Sequence, residues 1–298
     1  MQRVIYVPPW EDVTHPGAGV VFELAYPYLI GSPRGTGGVQ ADVITAASPL
    51  LPGKPVYNMA LADRTITFYI HIKGKDRREM YAERKRLAGL LAPYNGVQWD
   101  RPGRLYYQND DGVFWIDAIP IASPEFGDRV IKNYNRTELK FQCPDPFWKA
   151  VVERFAELRY GASAFRFPFR FKPSVNFGSY GYRQTVNNAG QVAAPLLIKI
   201  RGTDMENPTV INKRTGEFIR VVLPINDGDT LLINTSFWDR KVELEHADGA
   251  RENAYHYIDL DSTFFQMLPG KNVLDYNSDV GNENATVQIT WSEHYAGV

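Results

Sequence analysis

The chain has 298 residues, enough for one large domain or two ordinary ones. Hydrophobic residues make up 44% and aromatic ones 13%, which excludes a mostly disordered chain. Lys plus Arg total 33 and Asp plus Glu 34, so the formal net charge is −1; the strong basic excess of most nucleic-acid binders is absent.

The first stretch, "MQRVIYVPPWED", does not read as a signal peptide, because its apolar run is short and ends in two prolines. No run approaches ~18 apolar residues, so no transmembrane helix is expected, and synthesis in a cytoplasm is the plain inference. Before residue 60 the chain reads as loop-rich, with "GSPRGTGG" and "SPLLPGKPVY". So long a proline- and glycine-bearing arm suggests a segment that lies across something else, such as a neighbouring subunit.

"RTITFYIHIKG" then alternates, with Ile66, Phe68, Ile70 and Ile72 on one strand face. The clearest helix follows over Lys75–Leu91, where Met80, Leu87 and Leu91 share a face. Its other faces carry Arg77, Arg78, Arg84, Lys85 and Arg86. They read as a solvated helix surface or as a contact for an acidic partner. Asp111-Gly112 lies between two strand-like runs and suits a type I′ hairpin turn.

"TELKFQC" is a further strand that turns Leu139, Phe141 and Cys143 inward. Pro144 has no N–H to continue the ladder, and Pro146 keeps it from resuming. Pro144, Asp145, Pro146 and Phe147 therefore read as an inter-domain hinge, with one domain over 1–146 and a second over 147–298. "WKAVVERFAELRYG" looks weakly helical. "FRFPFRFKP" (165–173) reads as an edge or linking strand.

Beyond that point short strands follow one another. "PLLIKIRG", "NPTVINKRTGEFIRVVL", "DTLLINT", "RKVELEH", "AYHYIDL" and "ATVQITW" are separated by turn signals at 214–216 and 226–228. Many antiparallel strands without a helix imply a β-sandwich. The whole chain is thus expected to be mainly β with one conspicuous helix.

Catalytic, metal and cofactor signatures are missing. Cys143 is the sole cysteine, so neither an internal disulfide nor a thiolate zinc cluster can form. It reads as a buried small hydrophobe. The five histidines show no ligand spacing. Neither a nucleophile elbow nor a phosphate loop is present. Asp259 and Asp261 lie at strand spacing and form the carboxylate pair a glycosidase reading would use, but spacing alone makes no dyad. The aromatics Trp238, Tyr255 and Tyr257 offer a possible sugar-stacking face, with core and interface packing as the plainer alternative.

The order of four stretches resembles the distal tail protein (Dit) family, the siphovirus tail-component proteins. They are "RTITFYIHIKG" with the helix after it, "FQCPDPFW", "VNNAGQVAAPLLIKIRG" (186–202) and "LPGKNVLDYNSD" (268–279). The first 60 residues match only loosely. The resemblance implies a virion structural protein at the distal end of a phage tail, not an enzyme. It implies a homo-hexameric ring formed by an N-terminal, tail-tube-like β domain around a channel through which DNA passes. It places a tail tube protein on one side and a tail-associated hub or lysin on the other. The C-terminal domain would be a galectin-like or carbohydrate-module-like sandwich that anchors receptor-binding or other baseplate proteins. Two other readings stand beside it: a carbohydrate-binding module that recognises the host surface directly, and a cell-wall hydrolase, for which no credible carboxylate pair is present.

Overall fold

A computed structural model describes residues 2–23, 25–47, 52–92, 101–127, 132–160 and 182–298. The chain divides into two compact units, Met1–Val151 with Tyr295–Val298, and Val152–His294. The passage between them lies at 151/152, and the last four residues return to the first unit.

The first unit opens with β1 (Arg3–Val7), β2 (Val20–Phe22) and β3 (Tyr28–Ile30). A hairpin of β4 (Ala41–Thr45) and β5 (Val56–Leu61) follows. Then come β6 (Arg64–Lys73), α1 (Arg77–Leu90), β7 (Gly103–Gln108), β8 (Val113–Pro120), β9 (Tyr134–Cys143) and the start of β10 (Trp148–Arg159), whose residues from 152 onward belong to the second unit. Strands β10, β8, β7, β1 and β2 pair in that order, and β3, β6 and β9 form a second ladder. The two ladders meet where Ile119 pairs with Gln142. The loop-rich reading of the first 60 residues is therefore corrected. β1 to β3 supply Val4, Tyr6, Phe22, Tyr28 and Ile30 to the core, and short strands between prolines were easy to miss.

Alternation works as expected in β6, where Ile66, Phe68, Ile70 and Ile72 are buried against Leu139, Phe141 and Cys143 of β9. Helix α1 lays Met80 and Leu87, with Leu91 just beyond it, on the same core. Its start is fixed by Asp76, whose carboxylate accepts the Glu79 N–H at 2.8 Å. The Glu79 carboxylate in turn accepts the Lys75 N–H at 2.6 Å, so both ends of the first turn are tied.

Two local expectations fail in this unit. The weakly helical segment after Pro146 is strand β10. Its buried Ala156 and Leu158 are two residues apart, and Lys149 and Ala150 pair with Trp115 and Phe114 of β8. Sheet pairing overrides the helix-forming Glu and Arg residues here. The β7–β8 connection is a four-residue loop, not a type I′ turn. Only Gly112 has positive φ (157°), and Asn109 Oδ1 accepts the N–H groups of Asp111 and Gly112.

The second unit contains β11 (Gln184–Asn188), β12 (Leu197–Arg201), β13 (Met205–Glu206), β14 (Thr209–Asn212), β15 (Phe218–Arg220) and β16 (Pro224–Ile225). It continues with β17 (Thr230–Asn234), β18 (Lys241–Glu245), β19 (Arg251–Asn253), β20 (Gly270–Asn277) and β21 (Thr286–Tyr295). One sheet runs β19-β18-β17-β12-β21-β10, the other β11-β20-β14-β15. Ile198, Ile200, Leu231, Ile233, Val287 and Ile289 of the first share a core with Val186, Val210, Ile219, Leu274 and Tyr276 of the second. This is a sandwich, and the chain is mainly β with one α-helix among the described residues. "AYHYIDL" is not a strand: Tyr255–Tyr257 form a 3-10 turn. Asp259 and Asp261 sit in the following bend, where the Asp261 N–H donates to Asp259 Oδ1 at 3.0 Å. They share no strand face.

Candidate functional site

The hairpin β4–β5 is the most distinctive surface of the first unit. It forms a two-stranded sheet of its own, and every residue of both strands is exposed. Val43, Ile44, Val56, Tyr57, Met59 and Leu61 are 49–70% exposed, and they include neighbours on both faces. An isolated two-stranded hairpin is at best marginally stable in water, so this one gains by being covered. The proline and glycine flanks directed attention to loops and hid the short apolar runs "DVIT" and "VYNMAL".

The helix cations do not form one equivalent group. Arg84 lies over the rings of Phe126 at 4.3 Å and Tyr81 at 5.2 Å. Arg77 also approaches Tyr81, at 5.9 Å. Arg86 reaches Glu83 at 3.8 Å, and Glu83 accepts the Tyr28 hydroxyl at 2.5 Å. Arg77, Arg78, Lys85 and Arg86 are exposed, whereas Arg84 is half-buried. At the helix start, the hydrogen bond from the Tyr26 hydroxyl holds the Glu79 carboxyl below its usual range and pushes the tyrosine up to about 12.

Pro144, Asp145, Pro146 and Phe147 all lie in the first unit. Asp145 accepts the Phe147 N–H at 3.2 Å and pairs with Lys149 at 2.8 Å. Lys149 also reaches Asp117 at 3.5 Å and lies 4.6 Å from the Trp115 ring centre, with Arg104 stacked on that ring at 3.6 Å. Arg64, which is buried, donates to the carbonyls of Pro146 (2.8 Å), Gly35 (2.7 Å), Gly37 (2.6 Å) and Ala296. Burial lowers its pKa from the usual arginine value. Nothing in the sequence pattern marked Arg64, since it opens a strand whose visible signal is its isoleucines. Burial pushes the neighbouring Cys143 thiol up to about 12, which makes it a poor nucleophile.

In the second unit Trp238 is 83% exposed, Tyr255 45% and Tyr257 38%. Tyr255 lines a cleft of about 780 Å3 with Phe237, Arg240 and Phe264, whereas Trp238 and Tyr257 are not among its lining residues. Among the described residues no three His, Cys, Asp or Glu side chains gather as a metal site. Among them, too, no helix is long and apolar enough to cross a membrane. The "FRFPFRFKP" stretch lies outside the described residues.

Two of the sequence motifs have clear local causes. Asn188 is buried; its amide donates to Met267 O at 2.9 Å and Val192 O at 3.2 Å, and its Oδ1 accepts the Gly190 N–H at 2.9 Å. A Cβ at Gly190 would collide with the His294 backbone. Asn272, fully buried, donates to Leu268 O at 2.6 Å and Gly270 O at 3.0 Å, closing the turn at Gly270 (φ 84°). These are the N-A-G stretch at 188–190 and the L-P-G-K-N stretch at 268–272. The second stretch and Gly190 lie within the span of a family model, and Asn188 lies one residue before it.

Residues 189–295 match the siphovirus-type tail component, C-terminal domain. The resemblance expected from the sequence is therefore shown over 189–295, and the fold similarity extends much further. The crystal structure of SPP1 Dit (gp 19.1), described as a hub adsorption apparatus in Gram-positive infecting phages, superposes with a TM-score of 0.69. The alignment covers 99% of each chain at 13% identity. A chain of the phage P2 baseplate in its Ca-activated conformation aligns over 100% of this chain and 99% of its own, at TM-score 0.52 and 12% identity. The Sr form gives 0.50 and 12% over 97% and 98%. No curated protein sequence matches. The tail-component match over 189–295 thus coincides with a fold similar to SPP1 Dit along the chain.

Proposed function

We propose that the protein is a structural subunit of a phage tail tip, assembled as a homo-hexameric ring between the tail tube and a tail-associated hub or lysin. The observation that carries this reading is a fold similarity to SPP1 Dit that runs through both units, combined with the siphovirus tail-component match over 189–295. In this reading the first unit makes the ring around a channel for DNA. The galectin-like second unit faces outward and anchors receptor-binding or other baseplate proteins. The role is architectural and not enzymatic.

Ring closure requires two different surfaces on each subunit, because a head-to-tail contact is heterologous. The hairpin β4–β5 supplies one, with apolar residues that its own unit leaves uncovered. The exposed cations Arg77, Arg78, Lys85 and Arg86 of α1 supply the polar part of a contact. Pro144–Phe147 serve as the joint that redirects the chain from β9 into β10 toward the second unit.

Solution mass tests the proposal, through light scattering and native mass spectrometry with negative-stain images of the same sample. Six copies of the 33.8-kDa chain give about 203 kDa and a ring with a central hole. A chain that stays monomeric alone and also with the tube and hub proteins of its phage overturns the reading.

A further inference from the structure

We propose that the cleft of the second unit is a binding site for a neutral saccharide chain. This goes beyond the tail-tip role and does not depend on it. At about 780 Å3 the cleft falls within the roughly 300–1,000 Å3 typical of small-molecule sites.

Its walls are aromatic and held from behind. Tyr255 and Phe264 stack at 5.7 Å with their planes 12° apart, and Phe237 stands 66% exposed on the lining. The wall segment is fixed on β15: the Thr263 N–H donates to Phe218 O at 2.8 Å, and the Asp259 N–H to Arg220 O at 3.0 Å. Phe265, next in the chain, is buried in the core. The rings are therefore presented without a large ordering cost when a ligand arrives.

The polar lining narrows the ligand class. Arg240 lies 5.1 Å from the Phe237 ring centre and 5.6 Å from that of Phe264. It lines the cleft and forms no ion pair or side-chain hydrogen bond among the described residues, which leaves its N–H donors available to a ligand. Glu217 and Gln266 also line the cleft and make no side-chain hydrogen bond among the described residues. Asp259 adds a second carboxylate. One guanidinium against two carboxylates repels a phosphate, a nucleic acid or an acidic glycan. A neutral sugar suits this set. Its C–H faces carry slight positive charge and lie on the negative faces of the rings, while its hydroxyls both donate to Glu217 and accept from Arg240. The glycan face named from sequence is thereby revised: Tyr255 stays, Trp238 and Tyr257 leave, and Phe237, Arg240 and Phe264 enter.

The test is titration calorimetry of the intact chain with maltotriose, cellotriose, N-acetylated chitotriose and, as an acidic comparison, sialyllactose. Saturable binding is expected for at least one neutral trisaccharide and weaker or no binding for sialyllactose. Tyr255→Ala weakens it about tenfold, the loss of one aromatic stack, and Trp238→Ala leaves it unchanged. Both side chains are exposed, and circular dichroism confirms that each variant is folded. No binding to any neutral sugar, a preference for sialyllactose, or equal losses from Trp238→Ala overturns the proposal. Particle mass measured on the same samples keeps that failure separate from a failure of the ring.

Discussion

Arg64 donates through Nε to the carbonyl oxygen of Pro146 at 2.8 Å, so a buried cation fastens the corner at which β9 ends. Its remaining N–H groups hold Gly35, Gly37 and Ala296. Among the described residues Arg64 forms no ion pair, and its hydrogen bonds go to backbone oxygens. Three distant stretches of chain are thereby tied to the first residue of β6.

Replacing Arg64 with Ala leaves four carbonyl oxygens without this donor beside a buried position. We expect a loss of about 3 kcal/mol or more in urea unfolding. Arg64→Lys recovers only part of it, because an ammonium cannot span the same fork. A loss below ~1 kcal/mol for Arg64→Ala would show that water replaces the guanidinium.

Gly35 contributes to the same knot from the other side. Its φ is +84°, and a Cβ there would strike the Thr65 carbonyl, which belongs to rigid β6. Gly35→Ala is expected to cost more than ~1 kcal/mol and to lower the melting temperature of the first unit. Gly53 also has positive φ, but a Cβ there meets open space. Gly53→Ala therefore suffers the milder backbone penalty alone.

Stability should fall at alkaline pH. The Cys143 thiol ionises near 9.0 when exposed and near 12 when folded, because burial disfavours the thiolate. The folded state thus binds a proton that the unfolded chain releases. Its stabilising effect is whole below about pH 9 and is lost as pH rises toward 12. Tyr276 and Tyr182, also pushed up to about 12 by burial, act in the same direction above the usual tyrosine range. Denaturant titrations between pH 8 and 11.5 check this, with Cys143→Ala showing a shallower decline. In the native state the thiol should resist alkylation until the protein unfolds.

Charges placed on the hairpin separate folding from assembly. Val56→Lys with Met59→Lys changes only exposed residues. The unfolding midpoint should stay within the error of measurement, while the proposed particle of about 203 kDa gives way to single chains. A ring that survives both substitutions removes the hairpin from the interface.

Helix α1 permits a similar separation. Asp76→Ala removes the side chain that accepts the Glu79 N–H and should cost about 1 kcal/mol of stability. Arg78→Glu with Lys85→Glu alters exposed positions and should leave stability nearly unchanged while weakening association, most visibly at low salt. Equal association at every ionic strength would show that the helix faces solvent in the ring.

The sequence displayed whatever has a period. The isoleucines of β6, the Met80–Leu87–Leu91 stripe and the Val287–Ile289–Trp291 alternation all report burial on one face, and all are buried. β10 failed because sheet neighbours far away in sequence, β8 at Lys149 and Ala150 and β21 on its other side, override its helix-forming charges. Tyr255–Tyr257 failed because alternating aromatics fit a strand, whereas Asn253 Oδ1 accepts the Tyr255 N–H and turns the chain there. Arg64 and the cleft around Arg240 were invisible for a different reason. Each assembles side chains and backbone from several segments, and no local pattern records a convergence of that kind. The family resemblance was legible because Asn188 and Asn272 close turns through their own side chains, a requirement that stays within a few residues.

The return of residues 295–298 to the first unit has a consequence for synthesis. Val298 donates its N–H to Thr36 O at 3.1 Å, and Ala296 supplies one of the oxygens that Arg64 needs. On a ribosome, the half of the chain made first stays incomplete until residue 298 has emerged. Its central cation waits, partly unsatisfied, while all of the sandwich between is translated. The unit made first is in this sense completed only after the second has been translated, and its surfaces take their final form with residues 295–298 in place.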